Sequence, residues 1–189
     1  MHKLLLFLSI ALISCSHPHY KNPHVVIETS YGDIEVELFP DKAPKTVAAF
    51  LSYVDSGYYN KSSFYRVVKT EDMGGNNYGL IQGGIWRRNE QLRLPGIEHE
   101  STKQTGLSHT SGTISLARTT PGSANTEFFI CVGDQSQFDY GNGGNADGQG
   151  FAAFGTVFKG MDIVRKIQDR PANGESFTEQ ISIDRIKKL

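Results

Sequence analysis

Few of the residues that usually signal chemistry are placed here to perform it. Ser108 and His109 are adjacent in Gly106-Leu107-Ser108-His109. That is not the Gly-x-Ser-x-Gly turn of a hydrolase nucleophile, and neighbouring side chains need not face each other. His99 and His109 lack a carboxylate or cysteine at ligand spacing, so zinc is not indicated. His17, His19 and His24 read better as a solvated linker than as a metal tract. Gly143 to Asp147 lacks the spaced carboxylates of a calcium loop. Three short apolar runs remain: Phe64-Tyr65-Arg66-Val67-Val68, Ile81-Gln82-Gly83-Gly84 and Phe128-Phe129-Ile130-Cys131-Val132. They carry a guanidinium whose charge is permanent and whose fork can hold a carbonyl, an amide that both donates and accepts, and glycines that allow close backbone approach. Taken one at a time, they are equally a surface arginine, a turn and ordinary core.

The elements that must position these residues are mostly strands. Val25 to Ser30 and Ile34 to Phe39 read as a hairpin across Tyr31-Gly32-Asp33, with Ile34, Val36 and Leu38 alternating against Glu35 and Glu37. Pro44 opens a helix whose Val47, Phe50, Leu51 and Val54 form a core-facing stripe, with Gly57 as its stop. Ser63 to Val68 is a strand, on which period two places Phe64 and Arg66 on one face. Lys69 to Gly79 is rich in turn formers and reads as loop. Ile81 to Gly83 resumes the sheet, and Trp86 to Thr105 is irregular, with a short strand near Ile97. Ile114 to Ala117 and Phe128 to Val132 are strands joined by a loop holding Pro121, Gly122, Ser123 and Asn125. A Gly/Asn loop from Phe138 to Gly150 precedes a strand from Phe151 to Phe158. Met161, Ile163, Val164 and Ile167 mark a second helix, and Glu179 to Ile186 closes the chain as a strand. That is roughly eight strands and two helices, a pattern that fits a barrel or a sandwich.

The 189 residues make one domain the default, and a net charge of −1 gives no sign of a nucleic-acid partner. Aromatic residues at 11% and 20 glycines suit a loop-rich β fold better than a helical bundle. Cys131, between Ile130 and Val132, reads as an inert buried thiol. A disulfide to Cys15, at the far end of a tether, is not expected.

Taken in order, FYRVV, IQGG, TISLAR and EFFICVG resemble the cyclophilin family of peptidyl-prolyl cis-trans isomerases over Val25 to Leu189. The resemblance implies a mainly β fold, a closed eight-stranded antiparallel β-barrel capped by two α-helices, occupying residues 24–189. It implies catalysis of rotation about X-Pro bonds in proline-containing polypeptides, with no cofactor, no metal and no ATP. Arg66 takes the position of the family's catalytic arginine, Gln82 that of the glutamine bracing it, and Phe129 that of the floor of the proline pocket. Alternation says only that one of Phe128 and Phe129 faces the interior. Leu80 and Phe138 match apolar walls, and Ala117 and Arg118 the pair lining the peptide groove.

The chain departs from the family pattern at several points. Glu127 stands where glutamine is usual and counts among the substrate-binding residues, where it could pair with Arg66 and hold its orientation or weaken its field on the substrate. Gln137 replaces a rim tryptophan, so weak cyclosporin binding is expected. Phe151 replaces a histidine and can still serve the pocket. The segment between Arg66 and Gln82 is longer than usual, which leaves Gly79, Tyr78 and Met73 as candidates for an aromatic wall position. Glu127 and the altered segment before Gln82 support an alternative, a membrane-tethered peptide-binding or chaperone module of the same fold with little catalysis.

Residues 1–14 read as a targeting segment. Lys3 is followed by an apolar run from Leu4 to Ile13, too short to span a bilayer. Leu12-Ile13-Ser14-Cys15 is similar to a bacterial lipobox, which would make Cys15 an acylated first residue. Residues 15–23 would then be a flexible tether. Acyl chains at about 0.8 kcal/mol per buried methylene would hold the protein on a membrane. The implied location is the bacterial envelope, on the outer membrane facing the periplasm, as a monomer.

Overall fold

The computed structural model describes residues 20–71, 77–86 and 94–189. Cys15, the targeting segment and Met73 lie outside them. The first hairpin pairs β1 (His24–Thr29) with β2 (Gly32–Leu38), setting Val25 opposite Val36 and Ile27 opposite Ile34. Their inward side chains are fully buried. Helix α1 (Pro44–Asp55) starts on its proline and buries Val47, Phe50 and Val54, while Leu51 is half-buried. Ala43 supplies no side-chain cap. Instead the Glu100 carboxylate accepts the N–H groups of Lys45 (3.1 Å) and Thr46 (2.8 Å) and the Thr46 hydroxyl (2.7 Å). A carboxylate there satisfies orphan donors and complements the helix dipole.

The strands that follow are β3 (Ser62–Glu71), β4 (Asn77–Gly84), β5 (Thr113–Leu116), β6 (Phe128–Val132), β7 (Ala152–Lys159), the two-residue β8 (Ala172–Asn173) and β9 (Ser176–Lys188). They form one antiparallel sheet in the order β1-β2-β7-β5-β6-β4-β3-β9-β8, closed by β1 pairing with β9. The closed ring therefore has eight strands, with β8 outside it. Closure removes the exposed edges that a sandwich would keep. Helix α3 (Met161–Gln168) packs on β2, β3, β4 and β6, and α1 on β7 and β9. The core centres on Phe50, Tyr59, Phe64, Phe128 and Phe154, with Phe128 edge-on to Phe50, Tyr59 and Phe64 at 5.7–5.9 Å.

Three sequence expectations are corrected. Lys69 to Glu71 and Asn77 to Gly79 are not loop; they extend the β3–β4 hairpin, with Lys69 opposite Gly79 and Glu71 opposite Asn77. Among the described residues, 94–100 form no strand around Ile97, whose N–H donates to the Ala124 carbonyl. The same segment instead holds a third, single-turn helix, α2 (Thr102–Thr105), started by a Ser101/Gln104 capping box and ended at Gly106. The third correction matters most for the site. Phe64 and Arg66 do not share a face, because a β-bulge falls between them: Phe64 pairs with Gly83 and Arg66 with Gln82, leaving Tyr65 as the extra residue. Phe64 and Val67 turn into the core, and Arg66 and Val68 turn outward.

Candidate active site

The bulge and the strand register build the site. Across three neighbouring strands, Arg66 on β3 lies opposite Gln82 on β4, and Gln82 opposite Phe129 on β6. Leu80 lies opposite Val68 on one side and Cys131 on the other. Alternation sends Phe128, Ile130 and Val132 into the barrel core, so Phe129 and Cys131 face out with Leu80. The register thus settles which phenylalanine is at the site. Over this outer face lies a cavity of about 430 Å³, lined by Arg66, Val68, Leu80, Gln82, Ala117, Arg118, Phe129, Phe138, Gly144 and Phe151. At one side three rings meet edge to face: Phe129–Phe138 at 5.7 Å, Phe129–Phe151 at 5.2 Å and Phe138–Phe151 at 5.3 Å.

Phe138 ends a short 3-10 turn (Ser136–Phe138), and Phe151 follows the glycine-rich loop. Main-chain bonds from Gly144 to Gln137 and from Phe151 to Phe138 fold that loop onto the cavity. At Gly144 a β-carbon would strike the Gln137 carbonyl, so glycine is required there. Arg118 fastens the same loop. Its guanidinium donates to both Asp147 oxygens (2.7 and 2.9 Å) and to the Gly150 carbonyl, and sits 5.4 Å from the Phe151 ring. The Arg118 hydrogen bonds pull the Asp147 carboxyl down to about 2.

At the other side, Arg66 donates from Nη1 to Gln82 Oε1 (2.7 Å). Its Nε and Nη2 meet Glu175 Oε2 at 2.8 and 2.6 Å. Glu175 lies in the turn between β8 and β9, and sequence reading missed it because nothing local ties it to Arg66. Of the five guanidinium N–H groups, one on each terminal nitrogen is left to meet a substrate. Glu127, expected among the substrate-binding residues, neither lines the cavity nor pairs with Arg66, because its carboxylate is taken up by donors behind the site. Its Oε2 accepts the Tyr65 hydroxyl (2.6 Å), and its Oε1 accepts the N–H groups of Ile85 and Trp86 and the Thr126 hydroxyl, each at 3.0 Å. Burial holds its carboxyl above the ordinary value despite these donors. Gln137 is exposed and outside the cavity. Of the wall candidates, Tyr78 and Gly79 stay out of the cavity and Val68 supplies that wall.

Beneath Phe129 lies His109, stacked on it at 5.9 Å and fully buried. His109 Nδ1 is 2.6 Å from Asp139 Oδ1, and Nε2 is 3.0 Å from Ser115 Oγ. A neutral ring donating to Asp139 and accepting from Ser115 satisfies all three groups, and burial pushes the imidazole below its usual value. The order Ser-His-Asp is that of a hydrolase triad. Ser115 is fully buried, so no substrate carbonyl reaches it.

The chain belongs to the cyclophilin family: the model of the cyclophilin type peptidyl-prolyl cis-trans isomerase/CLD family matches residues 24–188. A peptidyl-prolyl cis-trans isomerase of Acinetobacter baylyi is 35% identical over 167 residues, covering 88% of this chain and 82% of that protein. Peptidyl-prolyl cis-trans isomerase B of Escherichia coli is 38% identical over 152 residues, covering 76% and 83%. In fold, the chain is similar to a cyclophilin type peptidyl-prolyl cis-trans isomerase of Cryptosporidium parvum, with a TM-score of 0.71 at 22% identity over 88% of this chain and 97% of that one.

Proposed function

We propose that this protein is an enzyme that accelerates cis-trans rotation about X-Pro bonds of unfolded or exposed polypeptide segments. An X-Pro bond crosses a barrier of roughly 18–20 kcal/mol because rotation breaks amide resonance. At the top of that barrier the nitrogen lone pair is localised and the amide is twisted. The three-ring side of the cavity suits a proline ring, and Arg66 stands where a fixed donor can meet the twisted amide and hold the carbonyl beside it. No covalent intermediate is needed. The observation that carries the reading is that Arg66, braced by Gln82, borders the same cavity as the Phe129–Phe138–Phe151 cluster.

The test is cis-trans exchange by NMR on a short Ala-Pro peptide. The protein should speed exchange, and Arg66→Ala should lose on the order of a hundredfold, the scale of one donor aimed at a transition state, while keeping its fold. Peptide binding without acceleration would replace the enzyme with a binding module.

We propose a membrane anchor at the N-terminus as well. Cys15 is acylated in its lipobox-like setting, and the tether lets the domain act as a monomer on envelope polypeptides near the membrane surface. The apolar run from Leu4 to Ile13 and the polar segment after Cys15 support this. Mass spectrometry of membrane-extracted protein should find a lipid-modified Cys15 at the N-terminus; an unmodified Cys15 overturns it.

A further inference from the structure

A single directional chain of hydrogen bonds runs from the site to the barrel wall. Arg66 Nη1 donates to Gln82 Oε1 (2.7 Å), Gln82 Nε2 donates to the Tyr65 oxygen (3.0 Å), and the Tyr65 hydroxyl donates to Glu127 Oε2 (2.6 Å). We infer that Glu127, acting through Tyr65, is the positioning residue that sets which way the Gln82 amide faces and so holds Arg66 for catalysis. The inference rests on the isomerase reading above.

Arg66 can only donate, and an ionised Glu127 can only accept. The single Tyr65 proton therefore goes to Glu127, and the Tyr65 oxygen is left as an acceptor. Gln82 must then show its NH2 to Tyr65 and its carbonyl to Arg66. No other arrangement satisfies all four groups. The β-bulge is what makes the chain possible, because it puts Tyr65 and Arg66, consecutive residues, on the same outward side around Gln82. Gly84 makes room at the far end: a β-carbon there would collide with both oxygens of the Glu127 carboxylate. The second glycine of Gln82-Gly83-Gly84 is thus matched to Glu127.

A glutamine at 127 would reverse the chain. Its carbonyl would take the Oε1 position, which holds three donors, those of Ile85, Trp86 and Thr126. Its NH2 would then face Tyr65. The Tyr65 proton would turn to Gln82, the Gln82 amide would invert, and its NH2 would oppose Arg66 Nη1. Removing the Tyr65 hydroxyl as well would cut the relay and leave Gln82 free to offer its carbonyl to Arg66 again.

The experiment is a double-mutant cycle on the full protein: Glu127→Gln, Tyr65→Phe and both together, each checked for fold by thermal unfolding and measured for kcat and KM. Glu127→Gln should lower kcat on the order of tenfold, the scale of one charge-assisted hydrogen bond, with KM little changed. Tyr65→Phe should lose roughly twofold to threefold, and the double variant should match Tyr65→Phe, regaining most of what Glu127→Gln lost. A Glu127→Gln variant with unchanged kcat, or losses that simply multiply in the double variant, overturns the inference. The unmutated protein gives a measurement that depends on no variant folding: the Gln82 NH2 protons should show NOEs to the Tyr65 ring, and their absence also overturns it. An unmutated protein that does not accelerate exchange refutes the isomerase reading instead, whatever the NOEs show.

Discussion

Glu175 is expected to restrain Arg66, and the substitution Glu175→Gln isolates that effect. The carboxylate engages two of the guanidinium nitrogens through one oxygen, at 2.8 and 2.6 Å. A glutamine can keep a hydrogen bond from Arg66 Nε through its carbonyl, so the change removes charge while leaving the reach of the side chain alone. The Arg66 and Glu175 side chains are 37% and 58% exposed. At that exposure the water value of the Coulomb energy applies, about 1 kcal/mol for unit charges ~4 Å apart, and measured exposed pairs fall at or below about 1 kcal/mol. If that attraction stands against the charge developing in the substrate, its removal raises kcat/KM by up to about fivefold. Stability should change by less than about 1 kcal/mol. The assay is proline isomerisation at low and at 0.5 M salt, because screening weakens an exposed pair. The gain should shrink at high salt. A Glu175→Gln protein that is slower than the parent at both salt concentrations refutes the argument and makes Glu175 a brace for Arg66.

Arg118→Ala should release the loop from Gly141 to Gly150, because Asp147 and Gly150 lose their shared partner; KM should rise several-fold with kcat nearly unchanged, and an equal fall in kcat would argue against a purely positional role. Glu100→Ala should cost about 2 kcal/mol, the upper range for losing a helix cap, seen as a fall of roughly 4–8 °C in unfolding midpoint; an unchanged midpoint would show that the Glu100 bonds contribute nothing net. His109 is held below its usual value by burial, so the unfolded chain binds the extra proton first. Its contribution to stability is full above about pH 6.5 and is lost as pH falls through the lower folded value. Asp139, which faces the ring, opposes the shift, and Ser115 and Phe129 are uncharged. The stability advantage over His109→Gln should therefore narrow between pH 7.5 and 5.5; a constant gap refutes the assignment.

The residues assigned to the site from sequence came there through the order of four short motifs, FYRVV, IQGG, TISLAR and EFFICVG, and not through periodicity. Phe129, Leu80 and Gln82 sit on strands whose alternation is regular, so once the register is known their outward direction follows. Arg66 was assigned by its motif, against what alternation implies: strict alternation would have carried it to the core side with Phe64, and only the extra residue at Tyr65 turns it out. A bulge leaves no mark in one strand's composition, because it is a relation between two strands. The same holds for partners brought in from far along the chain. Glu100 caps a helix 55 residues away and Glu175 meets an arginine 109 residues away. Each lies in a stretch that looks like a polar loop, where a carboxylate carries no local signal. Glu127 was visible as an unusual residue, but its effect could not be judged without Gly84 and Tyr65 around it. What distinguishes this barrel's site from a bare arginine on a strand is the fixed direction of its hydrogen bonds, and that direction is set by a carboxylate outside the cavity. Substitutions at Tyr65, Gly84 and Glu127 should therefore be read as changes to Arg66 even though none of the three lines the cavity that Arg66 borders.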